Sequence, residues 1–184
     1  MIDVELIKRV FFILKEKDIK LITCESLTGG LISSEFTKIP GTSEVFWGGY
    51  VVYTPQAKIN LLNVNPETLK NFGLVSVQTV EEMNLGAVKN FLKASSKSIS
   101  VVSIAVSGAA GPSSLEGKPP GTVCISSAFF NSKNFDLKIL DNFKKDSLIF
   151  KTSSYEFLGS RDEVREETLN KAFEHILSLT KNYG

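Results

Sequence analysis

Hydrophobic residues recur at helical spacing near both ends of the chain. Residues 4–17 show the first such pattern, which predicts an amphipathic helix. Near the other end, Ser160 and Glu163 have the spacing of a capping box, and the helical pattern that follows them continues to about Thr180. We therefore expect a helix at each end of the fold.

Shorter helical patterns lie between these two. Pro55 stands at a position that suits the first turn of a helix, and Ser76 can cap a longer helix. The predicted internal helices cover residues 55–62, 66–72 and 76–94, and a fourth, with Leu31, Ile32 and Phe36 as its apolar positions, ends at Pro40 and Gly41.

Runs rich in apolar and β-branched residues predict strands between the helices. The predicted strands cover residues 19–24, 47–54, 98–108 and 121–130, and residues 135–143 and 147–158 are expected to form a hairpin. We expect buried strands at 47–54 and at 98–108, the latter covered on both faces. Helices interleaved with covered strands predict one α/β domain over residues 1–184, a three-layer α/β/α sandwich around a mixed β-sheet.

The composition argues against several functions. Among 184 residues, 21 Lys and Arg almost balance 20 Asp and Glu, so nothing in the charge favours nucleic-acid binding. No apolar run approaches the roughly 20 residues that span a bilayer, and the amphipathic N-terminal segment does not resemble a signal peptide. We expect a cytosolic (cytoplasmic) protein that binds neither nucleic acid nor membranes.

Three residues limit the nucleophilic and metal chemistry that the chain can perform. Cys24 and Cys124 lie far apart in apolar stretches and are expected to be buried reduced thiols without metal-ligand spacing. The single histidine, His175, lies in the last predicted helix outside its apolar face, which indicates a solvated surface position. A serine or cysteine nucleophile must therefore use another base, and no metal site is expected.

A polar turn at residues 24–30 links the first predicted strand to a helix. In α/β folds, ligands bind beyond strand ends, where loops lead into helices. Free N–H groups at a helix start can hold an oxyanion or a phosphate, and Ser26 lies there in a position to react. The alternative is that Ser26 and Thr28 only cap the helix, while Gly29 and Gly30 permit close packing.

A second loop supplies a candidate base. Tyr53 and Lys58 lie where the predicted 47–54 strand passes into the next helix. A desolvated lysine with a lowered pKa can take the proton of a serine when no histidine is available. Both residues also have ordinary alternatives, because most lysines are solvated surface charges and a tyrosine at a strand end is usually a packing residue.

The third candidate loop is rich in glycine and follows the predicted 98–108 strand. Gly108 and Gly111 let a ligand approach the backbone closely. Their spacing fits neither a Walker A loop nor a dinucleotide-binding fingerprint. The loop therefore indicates a place for a ligand without identifying which ligand it is.

Taken together, the three loops resemble the C-terminal domain family of CinA, and the resemblance covers nearly the whole chain. The residues that carry it are CESLTGG (24–30), PGTSEVFWGGYVVYTPQAK (40–58), VSGAAGP (106–112), KPPGTV (118–123) and GSRDEVRE (159–166). The chain departs from the family pattern beside the serine, where Cys24 replaces an alanine and Leu27 replaces a cysteine. Larger members also have an N-terminal domain resembling molybdopterin-binding proteins, and we expect no activity of that domain here.

Single-domain members of this family are nicotinamide-nucleotide amidohydrolases, which convert nicotinamide mononucleotide to nicotinic acid mononucleotide and ammonia. The resemblance implies this activity, with Ser26 as nucleophile, Lys58 as base and Tyr53 assisting, and with no metal or cofactor. Backbone N–H groups of residues 26–30 would stabilise the oxyanion. A homo-oligomer, with a dimer favoured, is also implied. The implied substrate-binding residues are Thr28, Gly29, Gly30, Gly108, Ala109, Gly111 and Thr122, with Arg161 or Arg165 pairing with the phosphate.

Two other functions stay open at this point. The chain could be a non-catalytic nucleotide-binding module, although Ser26, Tyr53 and Lys58 are all present. It could also act through protein interactions in DNA uptake or damage response, which only the family's competence-related name suggests. Arg161 has an alternative as well, because an arginine beside Asp162 in the first turn of a helix can serve only in surface ion pairs.

Overall fold

Helices and strands alternate over most of the chain in the computed structural model, which describes residues 1–95, 99–131 and 143–182. The helices are α1 (Val4–Glu16), α2 (Leu31–Thr37), α3 (Pro55–Leu62), α4 (Pro66–Phe72), α5 (Val77–Ala94) and α6 (Arg161–Asn182). The strands are β1 (Ile19–Glu25), β2 (Phe46–Val51), β3 (Ser100–Gly108), β4 (Thr122–Phe130) and β5 (Ile149–Glu156). Short 3₁₀ turns occur at Thr42–Glu44 and Lys145–Ser147.

The strands form one mixed sheet in the order β2-β1-β3-β4-β5. β1 is parallel to β2 and β3, whereas β4 is antiparallel to β3 and β5 is antiparallel to β4. Helical segments connect the parallel strands, because a tight hairpin cannot join parallel neighbours. The mixed sheet confirms the prediction from the sequence.

Apolar side chains cover both faces of the sheet. On one face, α1, α2 and α6 pack around a cluster that includes Leu14, Phe36 and Phe173, and the last two rings stack at a centroid distance of 6.0 Å. On the other face, α5 covers a second cluster that includes Met83 and Phe91. Two helical layers around one sheet form the predicted α/β/α sandwich.

The second strand differs from the prediction for residues 47–54. β2 is shorter and lies at the edge of the sheet, where every second residue is exposed. Trp47 and Val51 are among the exposed residues, although the Trp47 ring contacts Phe91 edge-on. The prediction of a buried strand was wrong because aromatic and β-branched residues favour any pleated, half-buried surface and do not distinguish an edge strand.

Only one arm of the predicted hairpin lies within the described residues. β5 covers most of the predicted 147–158 strand and pairs antiparallel with β4. The first arm, predicted at 135–143, lies outside the described residues except for Phe143. The prediction for β3 is confirmed, because that strand is buried on both faces along nearly its whole length.

His175 is buried and does not lie on the surface as predicted. Only 1% of the residue is exposed, its Nε2 is 2.7 Å from the Tyr155 hydroxyl, and its Nδ1 is 3.3 Å from the carbonyl oxygen of Lys151. Burial lowers the pKa of His175 from 6.5 to about 4, and the positive charge of Lys151 adds to that effect. The prediction failed because β5 covers this face of α6, which the sequence pattern of the helix predicts to be polar and exposed.

The two cysteines have the predicted environment. Cys24 and Cys124 are both free and buried. Burial raises the pKa of the Cys24 thiol to about 12, so the reactive thiolate is disfavoured. Within residues 1–95, 99–131 and 143–182, no helix is both long and apolar enough to cross a membrane.

Candidate active site

The carboxyl ends of β1, β2 and β3 meet at one edge of the sheet. Glu25, at the end of β1, lies opposite Val51 of β2 on one side and Val106 of β3 on the other. Because β4 is antiparallel to β3, its first residue, Thr122, lies at the same edge, and the end of β5 lies opposite it. The three candidate loops and the start of α6 are thereby brought together where ligands bind in α/β folds.

Ser26 and Lys58 form a hydrogen-bonded pair at this edge. The Nζ of Lys58 donates to Ser26 Oγ at 3.0 Å and to the carbonyl oxygen of Val52 at 2.7 Å. Both residues are nearly excluded from solvent, with 8% of Ser26 and 1% of Lys58 exposed. A candidate nucleophile and a candidate base are therefore within direct proton-transfer distance.

The start of α3 determines the position of Lys58. The Thr54 side chain caps this helix by accepting the N–H of Ala57 at 3.1 Å, and Pro55 follows in the first turn, where its missing N–H does no harm. Lys58 and Leu62, four residues apart, share one face of the helix and are its buried residues. The lysine therefore projects toward the core and Ser26 instead of toward solvent.

Burial changes the acid–base behaviour of Lys58. Loss of hydration disfavours the ammonium and lowers the pKa of Lys58 from 10.5 to about 8, while the negative charge of Glu116 opposes part of that shift. At pH 7, roughly a tenth of the molecules then have a neutral lysine, against less than about a thousandth for an ordinary lysine. A general base must be in this neutral form.

Glu25, and not Ser26 or Thr28, caps α2, the helix that follows the turn at residues 26–30 (the serine turn). The N-cap residue of α2 makes no side-chain cap of its own. The interpretation of the two hydroxyls as caps was therefore wrong, and the Ser26 hydroxyl is available to the lysine. The buried Glu25 carboxylate accepts four hydrogen bonds instead, from the N–H groups of Gly30, Ile32 and Ser33 and from the Ser33 hydroxyl.

Only part of the serine turn can bind an oxyanion. Three of its five N–H groups already donate elsewhere: Ser26 to the carbonyl of Val106, Gly29 to the carbonyl of Ser26, and Gly30 to Glu25. The N–H groups of Leu27 and Thr28 have no acceptor within the part of the chain that the structure describes. Of these two residues, Leu27 lines the adjoining pocket, whereas Thr28 is fully buried, so the expected oxyanion donor within residues 26–30 narrows to the N–H of Leu27.

A pocket of about 380 Å³ opens beside the serine–lysine pair. Small-molecule sites are typically about 300–1,000 Å³, so the volume suits a compact ligand. Predicted site residues that line the pocket are Ser26, Tyr53, Lys58, Gly108, Ala109, Gly111 and Arg161. Predicted residues that do not line it are Thr28, Gly29, Gly30, Thr122 and Arg165.

Arg161 links two sides of the pocket. Its Nη2 donates to the Tyr53 hydroxyl and its Nη1 to the carbonyl oxygen of Gly111, both at 2.8 Å. Tyr53 is 56% exposed and makes no hydrogen bond to Ser26 or Lys58 within the described residues. Tyr53 therefore lies at the rim of the pocket with Arg161 and not between the serine and the lysine.

Arg165 supports the serine turn from outside the pocket. Its Nη2 donates to the carbonyl oxygen of Thr28 at 3.0 Å, and its Nη1 pairs with Asp162 at 2.9 Å. Thr28 is itself fully buried, and its hydroxyl has no hydrogen-bond partner in the described ranges. Of the two arginines considered for a phosphate, Arg161 lines the pocket, whereas Arg165 makes the surface ion pair.

Several residues at the site were not predicted from the sequence. Leu74, Ser107 and Leu115 line the pocket, and Glu116 influences Lys58 through its charge. Glu25 is the most informative omission, because it is a buried carboxylate at the end of a core strand. Its position directly before the serine turn and α2 could have indicated its role, since a carboxylate can accept hydrogen bonds from the N–H groups at a helix start.

The fold and the site define an α/β protein with a buried serine–lysine pair in a pocket of small-molecule size. Comparison with known protein families gives a match to the CinA C-terminal domain over residues 3–180. The chain therefore belongs to the CinA C-terminal domain family, as its loop motifs indicated.

Curated relatives are similar to the chain over most of its length. A CinA-like protein of Fervidobacterium nodosum is 39% identical over 175 residues, which cover 95% of this chain and 37% of the relative. A CinA-like protein of Petrotoga mobilis is 36% identical over 177 residues, which cover 94% of this chain and 37% of the relative. The chain thus spans somewhat more than a third of the length of these relatives.

Solved structures of the same superfamily share the fold. A competence-damaged protein (CinA) superfamily protein from Enterobacter cloacae has a TM-score of 0.78 and 31% identity, covering 98% of this chain and 94% of that chain. Another, from Klebsiella pneumoniae, has a TM-score of 0.79 and 27% identity, covering 98% of both chains. The α/β sandwich is therefore the fold of this superfamily.

Proposed function

We propose that the chain is an amidohydrolase that converts nicotinamide mononucleotide to nicotinic acid mononucleotide and ammonia. The observation that carries the proposal is the contact between a buried lysine and a serine hydroxyl beside a pocket of small-molecule size. Serine–lysine pairs support acyl-transfer chemistry in unrelated hydrolases. The choice of nucleotide rests on the resemblance of the loops to those of the deamidases in this family.

In the proposed first step, Ser26 attacks the carboxamide carbon of the substrate. Neutral Lys58 takes the hydroxyl proton directly, because its Nζ lies 3.0 Å from Ser26 Oγ. The attack forms a C–O bond and places a negative charge on the carboxamide oxygen. The free N–H group of Leu27, which lines the pocket, is the proposed donor to this oxyanion, a kind of contact worth about 3 kcal/mol per donor in other hydrolases.

In the second step, the tetrahedral intermediate collapses and its C–N bond breaks. The Lys58 ammonium returns its proton to the departing nitrogen, so that ammonia leaves and an ester to Ser26 remains. Water then attacks the ester carbon while Lys58 takes a proton from this water. Release of the carboxylic acid product regenerates the serine hydroxyl.

Arg161 is the proposed ligand of the substrate phosphate. Its guanidinium lines the pocket, and planar guanidinium groups bind phosphate oxygens in pairs. Phosphate binding would exchange at least one of its contacts to Tyr53 and Gly111 for a phosphate oxygen. The side chains of Leu27 and Leu74 offer apolar surface on which the nicotinamide ring can rest.

Ammonia release from nicotinamide mononucleotide by the purified chain tests the proposal. Free nicotinamide, NAD and a simple aliphatic amide serve as comparison substrates. We expect release that is selective for the mononucleotide and that persists in the presence of a chelator. Ser26→Ala should release no ammonia above background while keeping the wild-type circular dichroism spectrum.

Ser113→Ala is the matched control for the loss of a pocket hydroxyl. Ser113 also lines the pocket, but it is exposed on the loop that follows β3 and is not part of the serine–lysine pair. The control variant should retain most of the wild-type rate. Binding of the mononucleotide without ammonia release by the wild type would contradict the proposal and favour a non-catalytic binding module.

The expected homodimer and the cytosolic location stay predictions. We propose the dimer on the family resemblance. Size-exclusion chromatography with light scattering should give twice the mass of the chain at micromolar concentration. A monomer mass under these conditions would contradict the dimer without affecting the proposed chemistry.

A further inference from the structure

Glu25 directly precedes the candidate nucleophile. It is the last residue of β1, and its side chain is fully buried. Each of its carboxylate oxygens accepts two hydrogen bonds from the first turn of α2. Oε2 accepts the N–H groups of Gly30 and Ile32 at 2.9 and 3.1 Å, and Oε1 accepts the N–H and hydroxyl of Ser33 at 2.9 and 2.6 Å.

These four contacts close the turn that carries Ser26. They connect the residue before the serine to the helix that follows it, so residues 26–29 are held between two fixed points. Gly29 and Gly30 have φ values of +62° and +98°, which residues with side chains rarely adopt. The turn is therefore sharp, and its shape depends on what holds its ends.

The backbone of Glu25 connects the same point to the lysine. Its carbonyl oxygen accepts the N–H of Val52 at 2.8 Å, and the carbonyl of Val52 accepts Lys58 Nζ at 2.7 Å. Lys58 in turn donates to Ser26 Oγ. A closed ring of contacts thus joins Glu25, Val52, Lys58 and Ser26.

From this geometry we propose that Glu25 is a positioning residue for Ser26. Its carboxylate holds the serine turn so that the hydroxyl lies against Lys58. The carboxylate also binds the N–H of Gly30, while the N–H of Leu27, which lines the pocket, stays free as a donor. This inference rests on the proposed function for its substrate, but the reactivity of Ser26 can be measured without that substrate.

Glu25→Gln is the variant that tests the role of the carboxylate. Glutamine has nearly the same size, but its NH₂ group would face two of the four donors that the carboxylate accepts. The Ser33 hydroxyl can reverse and accept, yet at least one N–H of α2 loses its acceptor whichever way the amide is turned. A nucleophile displaced by about 1 Å reacts roughly 100-fold more slowly.

The readout is the rate at which a fluorophosphonate labels Ser26, followed by intact mass spectrometry. In this reaction the serine oxygen bonds to phosphorus, fluoride leaves, and Lys58 takes the serine proton. We expect labelling of Glu25→Gln to be at least about tenfold slower than that of the wild type. For nicotinamide mononucleotide, kcat should fall by a similar factor while KM changes by less than about threefold, because Arg161 and the pocket lining outside the serine turn are unchanged.

Glu82→Gln is the matched control. The Glu82 carboxylate also holds the start of a helix, accepting the N–H of Asn65 at 2.8 Å and the hydroxyl of Thr68 at 2.6 Å. That helix, α4, contributes no residue to the pocket. Both variants should lose stability in urea, but Glu82→Gln should be labelled at the wild-type rate.

A folded Glu25→Gln chain that is labelled at the wild-type rate overturns the inference, as does equal slowing in Glu82→Gln. If Glu25→Gln does not fold, Ser33→Ala tests the same role, because it removes the shortest of the four contacts to the carboxylate. We expect labelling of Ser26 in Ser33→Ala to be at least about threefold slower than in the wild type. An unchanged labelling rate in this variant overturns the proposal. Wild type that is not labelled at Ser26 also overturns it. Slower labelling of Glu25→Gln in a chain that does not hydrolyse the mononucleotide supports the positioning role and contradicts only the proposed substrate.

Discussion

Replacement of Lys58 by methionine removes a candidate base together with a buried charge. Methionine has a similar length and no titratable group, so it fills the same space at every pH. We expect the variant to lose turnover. We also expect a change in the pH dependence of stability: the wild type should gain free energy of unfolding relative to Lys58→Met between pH 7 and pH 9.5.

The size of this gain follows from the two pKa values of the lysine. Folding lowers the pKa of Lys58 from 10.5 to about 8. Between those values the unfolded chain binds a proton that the folded chain does not, so stability rises with pH. At about 1.36 kcal/mol per pKa unit, the wild type gains about 2 kcal/mol between pH 7 and pH 9.5. Well below pH 8 the lysine is charged in both states, and the gain is absent.

Urea unfolding at the two pH values measures this difference directly. Other titrating groups cancel when the free energies of unfolding of wild type and Lys58→Met are subtracted. Lys93→Met, at an exposed position of α5, controls for the loss of a lysine without burial, and should show the wild-type pH dependence. A difference between wild type and Lys58→Met that does not change with pH would refute the lowered pKa of the buried lysine.

Three further predictions concern other parts of the molecule. Because burial lowers the pKa of His175 to about 4, the free energy of unfolding should fall by about 3 kcal/mol as the pH drops from 6.5 through 4, and His175→Gln should remove most of that loss in urea titrations; an unchanged acid dependence in the variant would contradict this. Arg161→Gln should raise KM for the mononucleotide at least about tenfold with little change in kcat, whereas loss of kcat at constant KM would contradict phosphate binding. Gly86→Ala should lower the free energy of unfolding by about 1–3 kcal/mol or more, because its Cβ would lie 1.8 Å from the Leu62 carbonyl oxygen; an unchanged urea midpoint would contradict this packing.

Much of the fold could be predicted because several elements have long, unambiguous patterns. The helical periodicity of α1 and α5 and the continuous apolar run of β3 identify these elements with nearly the observed bounds. The loops that carry Ser26 and Lys58 were expected to lie close together because loops after parallel strands meet at one edge of an α/β sheet, whereas the pairing of the two residues was implied by the resemblance to the CinA C-terminal domain family. Their contact at 3.0 Å agrees with that expectation.

The remaining features depend on tertiary neighbours that a local pattern does not contain. The composition of β2 suits a central strand, but its position at the edge is decided by which strands pair. His175 lies on a polar face of α6 and is nevertheless buried by Tyr155 from β5. Glu25 was not predicted because three of its four partners are backbone N–H groups, which every residue except proline has.

The pH dependence of ammonia release tests most directly whether neutral Lys58 activates Ser26. Because the deprotonated lysine is the active form, we expect wild-type release from nicotinamide mononucleotide to rise with pH around a midpoint near 8 and to be lost as the pH falls through that value. Ser26→Ala and Lys58→Met should release no ammonia at any pH. A wild-type rate that stays constant from pH 6.5 to 9.5, or turnover that survives in Ser26→Ala, would contradict the serine–lysine mechanism.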